Sequence, residues 1–144
     1  TQYANPEKEL EGILTRIQME DLDDVAILVP SDKEVMMVND YLANHGIKTQ
    51  VMYRTGNTVP FRTVNTLDFS NNDLPCILTY YAAKGSEFDN VFVPFANTSN
   101  DCSRNSFYVA CTRSSRSLYI SYSGTKTKYL SDVNSDFITE LKAA

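Results

Sequence analysis

The stretch TYYAAKGSEFDNVF, Thr79 to Phe92, gathers several chemically useful side chains into a few positions. Lys84 brings a cationic donor. Gly85, directly after it, lets the backbone turn sharply and come close to a ligand. Glu87 brings a carboxylate suited to a sugar hydroxyl or to a partner cation. Tyr80 and Tyr81 offer flat faces on which bases stack. This is the chemistry of a nucleotide or nucleic-acid contact. Yet the glycine follows the lysine, and no G-x-x-x-x-G-K-[ST] phosphate loop occurs anywhere in the chain. The same residue types also make an ordinary strand-to-strand loop with a solvated lysine and glutamate, and composition alone does not choose.

A second segment, NSFYVACTRSSRSLYIS, carries paired arginines. Its first part reads as a helix beginning at Asn105 or Ser106 and burying Phe107, Tyr108, Val109 and Ala110. On that reading Thr112, Arg113 and Arg116 lie toward the helix end, and Arg113 and Arg116, three apart, share a face. Two guanidinium forks on one face suit phosphate oxygens. A surface helix whose arginines pair with the acids of the chain is the competing reading.

These segments need elements to hold them. Pro6 to about Met19 reads as a helix, with Asn5 as cap and Leu10, Ile13, Leu14 and Ile17 at helical spacing. VAILV (Val25–Val29) is a continuous apolar run, the pattern of a strand buried on both faces. Ser31 and Glu34 form a capping-box pair ahead of a second helix, which NHG closes with Gly46 as left-handed cap. IKTQVMY, CILTY, VFVPF and SLYISYS read as further strands, and Asp132–Lys142 as a last helix. Residues 54–74 show no clear period, with a short helix or strand around Phe61–Leu67. Strands alternating with helices give an α/β domain with a mostly parallel sheet. In such sheets ligands sit at strand carboxyl ends, which directs attention to the loops after Val29, Tyr80, Phe95 and Ser123.

Bulk properties narrow the class. The 144 residues suit one domain with a real core, and the net charge of −5 argues against nonspecific coating of nucleic acid. Basic residues nevertheless gather from Arg104 through Arg113, Arg116 and Lys126 to Lys128. Cys76, Cys102 and Cys111 are too few and scattered for a disulfide framework or a zinc site, so no metal site is expected, and Cys76 and Cys111 read as core. His45, the sole histidine, reads as a helix-end residue. No apolar run is long enough to span a bilayer, and TQYANPEKEL is no secretory signal. A cytoplasmic location is expected. The missing initiator Met fits a domain cut from a longer chain or a processed product.

Taken as a pair, the two segments resemble the motifs of a known family. TYYAAKGSEFDNVFVP resembles motif V of the UvrD/Rep-like superfamily 1 helicases, Thr-x-His-x-x-Lys-Gly-Leu-Glu-Phe followed by an apolar strand. FYVACTRSSRSLYIS resembles motif VI, Tyr-Val-Ala-x-Thr-Arg-Ala followed by a basic residue and a strand. Order and separation also match the family. VAILVPSDKEVMMVNDYLANHGI resembles the opening of the second motor domain. The likeness spans roughly Val25 to Ser123.

That resemblance implies a RecA-like three-layer α/β/α fold over residues 1–144, standing as the second motor domain of an ATP-dependent DNA helicase or translocase. ATP with Mg2+ would lie between this domain and an N-terminal RecA-like domain of the same polypeptide, which carries the phosphate loop and the magnesium carboxylates. The isolated domain is then expected to be inactive. By position, Arg113 matches the catalytic arginine that reaches the γ-phosphate, Glu87 the glutamate near the ribose, and Gly85 the glycine beside it. Arg116 is a further ATP-phosphate contact or a brace for the helix end. Thr79 and Tyr81 match positions near single-stranded DNA, and Lys84 is a lower-ranked phosphate contact. Tyr81, Ser86 and Ser114 depart from the usual His, Leu and Ala. Lys33 is a poor stand-in for the arginine usual after the first strand, so no nucleotide contact is assigned there. Too few residues separate Met52 from Ile77 for the family's large inserted subdomain. The departures leave a second reading, a catalytically inactive module holding single-stranded nucleic acid or a protein partner. A flavodoxin-like anion-binding domain would need an acidic triad on strand ends, which the sequence lacks.

Overall fold

A computed structural model of the chain describes residues 1–55, 62–68, 73–96, 104–123, 125, 127 and 129. The first strand, β1 (Gln2–Tyr3), is short. Helix α1 (Pro6–Met19) starts where Asn5 turns extended, and the Asn5 side chain accepts from the Lys8 backbone N–H at 2.9 Å. The proline at the first position costs no helix hydrogen bond. Leu10, Ile13 and Leu14 are buried as the helical spacing requires.

Strand β2 (Val25–Val29) is buried at all five residues. Helix α2 (Asp32–Asn44) follows. The expected capping box at its start does not form. The Ser31 hydroxyl bonds the Glu34 carboxylate instead of a backbone amide, and the Ser31 carbonyl accepts from Glu34 and Val35. His45 ends α2 and sits within hydrogen-bond distance of the Tyr41 carbonyl. Gly46 takes the left-handed conformation at φ +79°, and Ile47 N–H reaches back to Leu42 O at 2.9 Å, closing a Schellman turn. That turn explains why β3 (Gln50–Thr55) starts later than the apolar pattern predicts: Ile47 belongs to the cap.

β4 (Arg62–Asn65) resolves the ambiguous stretch as a strand, antiparallel to β3. β5 (Cys76–Thr79), β6 (Phe88–Val93), helix α3 (Arg104–Cys111), β7 (Ser114–Ile120) and β8 (Tyr122–Ser123) complete the order. β8 pairs with β1 in a small second sheet. The main sheet runs β4-β3-β5-β2-β6-β7, parallel except for the β3–β4 edge.

Alternation along β2 builds the layers. Val25, Ile27 and Val29 join the α1 and α2 residues Leu10, Ile13, Val35, Val38 and Leu42 in one core. Ala26 and Leu28 face the other way, into a core with Leu78, Tyr80, Ala83, Val91, Phe107 and Ala110. Helices therefore cover both faces, as the α/β/α reading expects. Cys76 is buried, and Cys111 is partly buried against the α3-side core. Burial pushes the Cys76 thiol up to about 11.

Two strand boundaries differ from expectation for local reasons. β6 begins at Phe88, ahead of the expected Val91, because waiting acceptors recruit its first amides. Phe88 N–H bonds Arg113 O, Asp89 N–H bonds the Asp24 carboxylate, and Asn90 N–H bonds Asp24 O. It ends at Val93 because Pro94 has no N–H to continue the ladder. β7 begins at Ser114, so α3 stops at Cys111 and does not extend through the arginines. The helix expected over Asp132–Lys142, along with Cys102, Lys126 and Lys128, lies outside the described residues.

Candidate nucleotide and nucleic-acid site

β5 and β6 both run parallel to β2 and flank it. Residues 80–87 must therefore carry the chain from the carboxyl end of β5 back to the amino end of β6. They do so as a compact turn. Ala83 N–H bonds Thr79 O at 3.1 Å, Lys84 N–H bonds Tyr81 O at 3.2 Å, and Ser86 N–H bonds Ala83 O at 3.0 Å. The Thr79 hydroxyl caps the turn by accepting from Ala82 N–H at 3.1 Å. Gly85, at φ +84°, ends it.

The turn is fastened from beneath. Tyr80 is 3% exposed and meets Phe107 of α3 edge-to-face at 6.4 Å, and Ala83 is fully buried. Tyr80 is thus an anchor, which corrects its reading as a stacking face for bases. Tyr81 is 83% exposed and keeps that role available. Lys84, Gly85 and Glu87 are exposed as well.

Arg113 occupies the turn between α3 and β7. Its backbone carbonyl accepts from Phe88 N–H at 2.8 Å. Its side chain folds back on the end of α3. Nε donates to Val109 O at 3.0 Å, Nη2 to the Thr112 hydroxyl oxygen at 3.1 Å, and Nη1 to Ser86 O at 3.4 Å. All three acceptors are neutral oxygens. The carboxyl end of the helix, the negative end of its dipole, is an electrostatically favourable seat for a cation.

Arg116 does not share a helical face with Arg113. It lies exposed on β7, where a bulge sets Ser115 and Arg116 against Asp89 alone. Ser115 donates to the Asp89 carboxylate at 2.8 Å and fixes that bulge. The paired-arginine face expected from i, i+3 spacing is therefore absent, because the helix stops before it. The i, i+3 rule holds only while the backbone remains helical.

The carboxyl-end rule also needs correcting. Thr79 and Tyr81 sit at the carboxyl side of the sheet. Gly85, Glu87 and Arg113 sit at the amino ends of β6 and β7, since Phe88 pairs with Ser114. The candidate residues thus divide between two edges joined by one crossover. Ser86, Val109 and Thr112, to which the sequence reading gave no contact with Arg113, hold it in place. Ser86 and Val109 act through main-chain carbonyls, which leave no signature in side-chain type.

Residues 75–121 match the family model described as UvrD-like helicase C-terminal domain. The matched segment holds the crossover, Arg113 and Arg116. It is about a third of the chain. Among solved structures, the C-terminal domain of a possible DNA helicase from Lactobacillus plantarum WCFS1 superposes with a TM-score of 0.71. It is 23% identical, and the match covers 92% of this chain and 78% of that one. At that identity the likeness speaks for the fold. It agrees with the RecA-like α/β reading of a parallel sheet between helices. A comparison with curated proteins returned no match.

Proposed function

We propose that the chain is the second motor domain of an ATP-dependent DNA helicase or translocase. Its nucleotide site is shared with an N-terminal RecA-like domain of the same polypeptide. The observation that carries this reading is the junction of Arg113 with the Gly85–Phe88 segment, through Phe88 N–H to Arg113 O and Arg113 Nη1 to Ser86 O. Two segments that resemble helicase motifs V and VI meet there in space.

The residues present fit one wall of a nucleotide site. Gly85 has open space around the position a Cβ would take, so backbone approaches a ligand without obstruction. Exposed Glu87 is suited to a ribose hydroxyl. Arg113 places a permanent cation where an entering phosphate would meet it. ATP with Mg2+, when bound, supplies the phosphoryl group on which charge builds during transfer, and a cation delivered across the cleft stabilises that charge. The phosphate loop and the magnesium ligands fall to the N-terminal domain, so this domain alone hydrolyses nothing. On the other edge, Tyr81 stacks on a base of single-stranded DNA, and Lys84, exposed within the crossover, offsets backbone charge. Thr79 shapes that edge through its cap and keeps its hydroxyl proton for a phosphate. Arg116, on the β7 bulge, serves as an outlying phosphate contact.

The test is ATP hydrolysis by the full-length parent protein, with and without single-stranded DNA, beside its Arg113→Ala variant. DNA-stimulated turnover that falls about a thousandfold in the variant is expected for a lost transition-state arginine. Undiminished turnover overturns the role of Arg113. No turnover in the unmodified parent overturns the motor and leaves the inactive binding module.

A further inference from the structure

We infer that Thr112 is the positioning residue that aims Arg113, an inference that rests on the helicase reading above. A guanidinium has five N–H donors. Three of those on Arg113 are used within the described residues, one on each nitrogen: Nε on Val109 O, Nη1 on Ser86 O and Nη2 on Thr112 Oγ1. One N–H remains on each terminal nitrogen. Those two donors stay open to the oxygens of a phosphate, so the guanidinium can meet one without Arg113 leaving its anchors.

The direction of the fork depends on what holds the two terminal nitrogens. At Nη1 the restraint is long, 3.4 Å to the Ser86 carbonyl of the crossover turn. At Nη2 it is 3.1 Å to Thr112, the shorter of the two. Thr112 is itself fixed, because its hydroxyl donates to Val109 O at 2.9 Å. Its only proton is spent there, so a lone pair must face Nη2, and the contact has one polarity. Val109 O thus holds Nε directly and Nη2 through Thr112. The helix end, not the mobile reach of a long side chain, sets where the fork points. Thr112 is exposed and fills no core space, so its hydroxyl has no packing role to explain its presence.

Thr112→Val keeps the shape and removes the acceptor, and Thr112→Ser keeps the acceptor and removes a methyl. Both are made in the full-length parent, with DNA-stimulated ATP turnover as the readout beside Arg113→Ala. Thr112→Val is expected to lower kcat about tenfold, on the scale of a misaimed catalytic group, with the KM for ATP and the affinity for single-stranded DNA within about twofold of the parent. Thr112→Ser is expected to recover kcat. An unchanged kcat in Thr112→Val, while Arg113→Ala is inactive, overturns the inference and leaves the helicase reading intact. A serine variant as slow as the valine variant also overturns it, as does a parallel loss of DNA affinity, which marks a general structural fault. Full turnover in Arg113→Ala overturns the arginine reading itself, and the inference with it.

Discussion

Gly85→Ala and Gly46→Ala form a matched pair. Both glycines hold positive φ, +84° and +79°, and around both a new Cβ meets nothing within 4 Å. Steric collision therefore contributes nothing at either site, and the cost is that of the left-handed backbone alone. Holding a residue with a Cβ there costs about 1–2 kcal/mol, partly offset because alanine loses less unfolded-state entropy than glycine. Each variant should lose about 1 kcal/mol, or about 3–5 °C in Tm for a chain of this length. Their functions should separate. Gly46 ends α2 and leads to β3, three strands from β6 in the sheet. Gly85 adjoins Ser86, whose carbonyl holds Arg113 Nη1. A backbone adjustment at Gly85 moves that carbonyl, so DNA-stimulated ATP turnover of the parent should fall about tenfold in Gly85→Ala and stay within about twofold in Gly46→Ala. Denaturant titration of each variant measures stability, and a coupled ATPase assay measures turnover. A loss above about 3 kcal/mol at either site would show that the space is not open. Equal turnover in the two variants would refute the coupling of Gly85 to Arg113.

Two more outcomes follow from burial. Tyr81→Ala should leave stability within about 0.5 kcal/mol, because the ring is solvated, while weakening binding of a fluorescent oligothymidine to the parent by about 1–3 kcal/mol. Tyr80→Ala should instead cost about 3–5 kcal/mol of stability, as for other buried rings, and a reversed order would refute the assignment of the two tyrosines. Glu9 is fully buried on α1, and its carboxylate accepts from Phe95 N–H at 2.8 Å and from the Ser121 hydroxyl at 3.0 Å. Burial raises its pKa in spite of those two bonds. A raised folded-state pKa means the native state holds the proton more tightly than the unfolded chain. This group's contribution is therefore greatest below the ordinary carboxylate pKa and declines as pH rises through the folded value. Glu9→Gln, which retains an oxygen for both donors, should remove that decline, and identical stability–pH slopes in the two proteins would refute it.

Side-chain pattern told most about the elements whose burial it encodes. The unbroken apolar run at Val25–Val29 and the spacing of Leu10, Ile13 and Leu14 predicted a central strand and a covering helix, and both are present. Turn residues were legible where one residue type is required, as at Asn5 and Gly46. The pattern failed where backbone partners decided the outcome. Nothing in Ser114 or Ser115 announces a strand; β7 starts there because Phe88 N–H waits for Arg113 O. The same recruitment ended α3 early and separated Arg113 from Arg116. The candidate residues were selected by type, since lysine, glycine, glutamate and arginine suit the chemistry of a nucleotide. Their division between two sheet edges was not legible, because it depends on β5 and β6 flanking β2.

That division gives the crossover its mechanical interest. One end of residues 80–87 is set by Thr79, whose hydroxyl and carbonyl both hold the turn. The other end is set by Arg113, whose main chain and side chain both hold the Ser86–Phe88 strand entry. Between them Tyr80 and Ala83 are clamped in the core against α3, the helix whose end at Cys111 leads directly into Thr112 and Arg113. One end of the crossover is therefore held from β5 and the other from the turn between α3 and β7. The N–H groups of Ala82, Ala83, Lys84 and Ser86 all bond within the turn and restrain the residues between those ends. Inserting or deleting one residue within 80–87 is therefore expected to disturb the Tyr80–Phe107 contact and to cost stability on the scale of Tyr80→Ala, which denaturant titration of the variant measures.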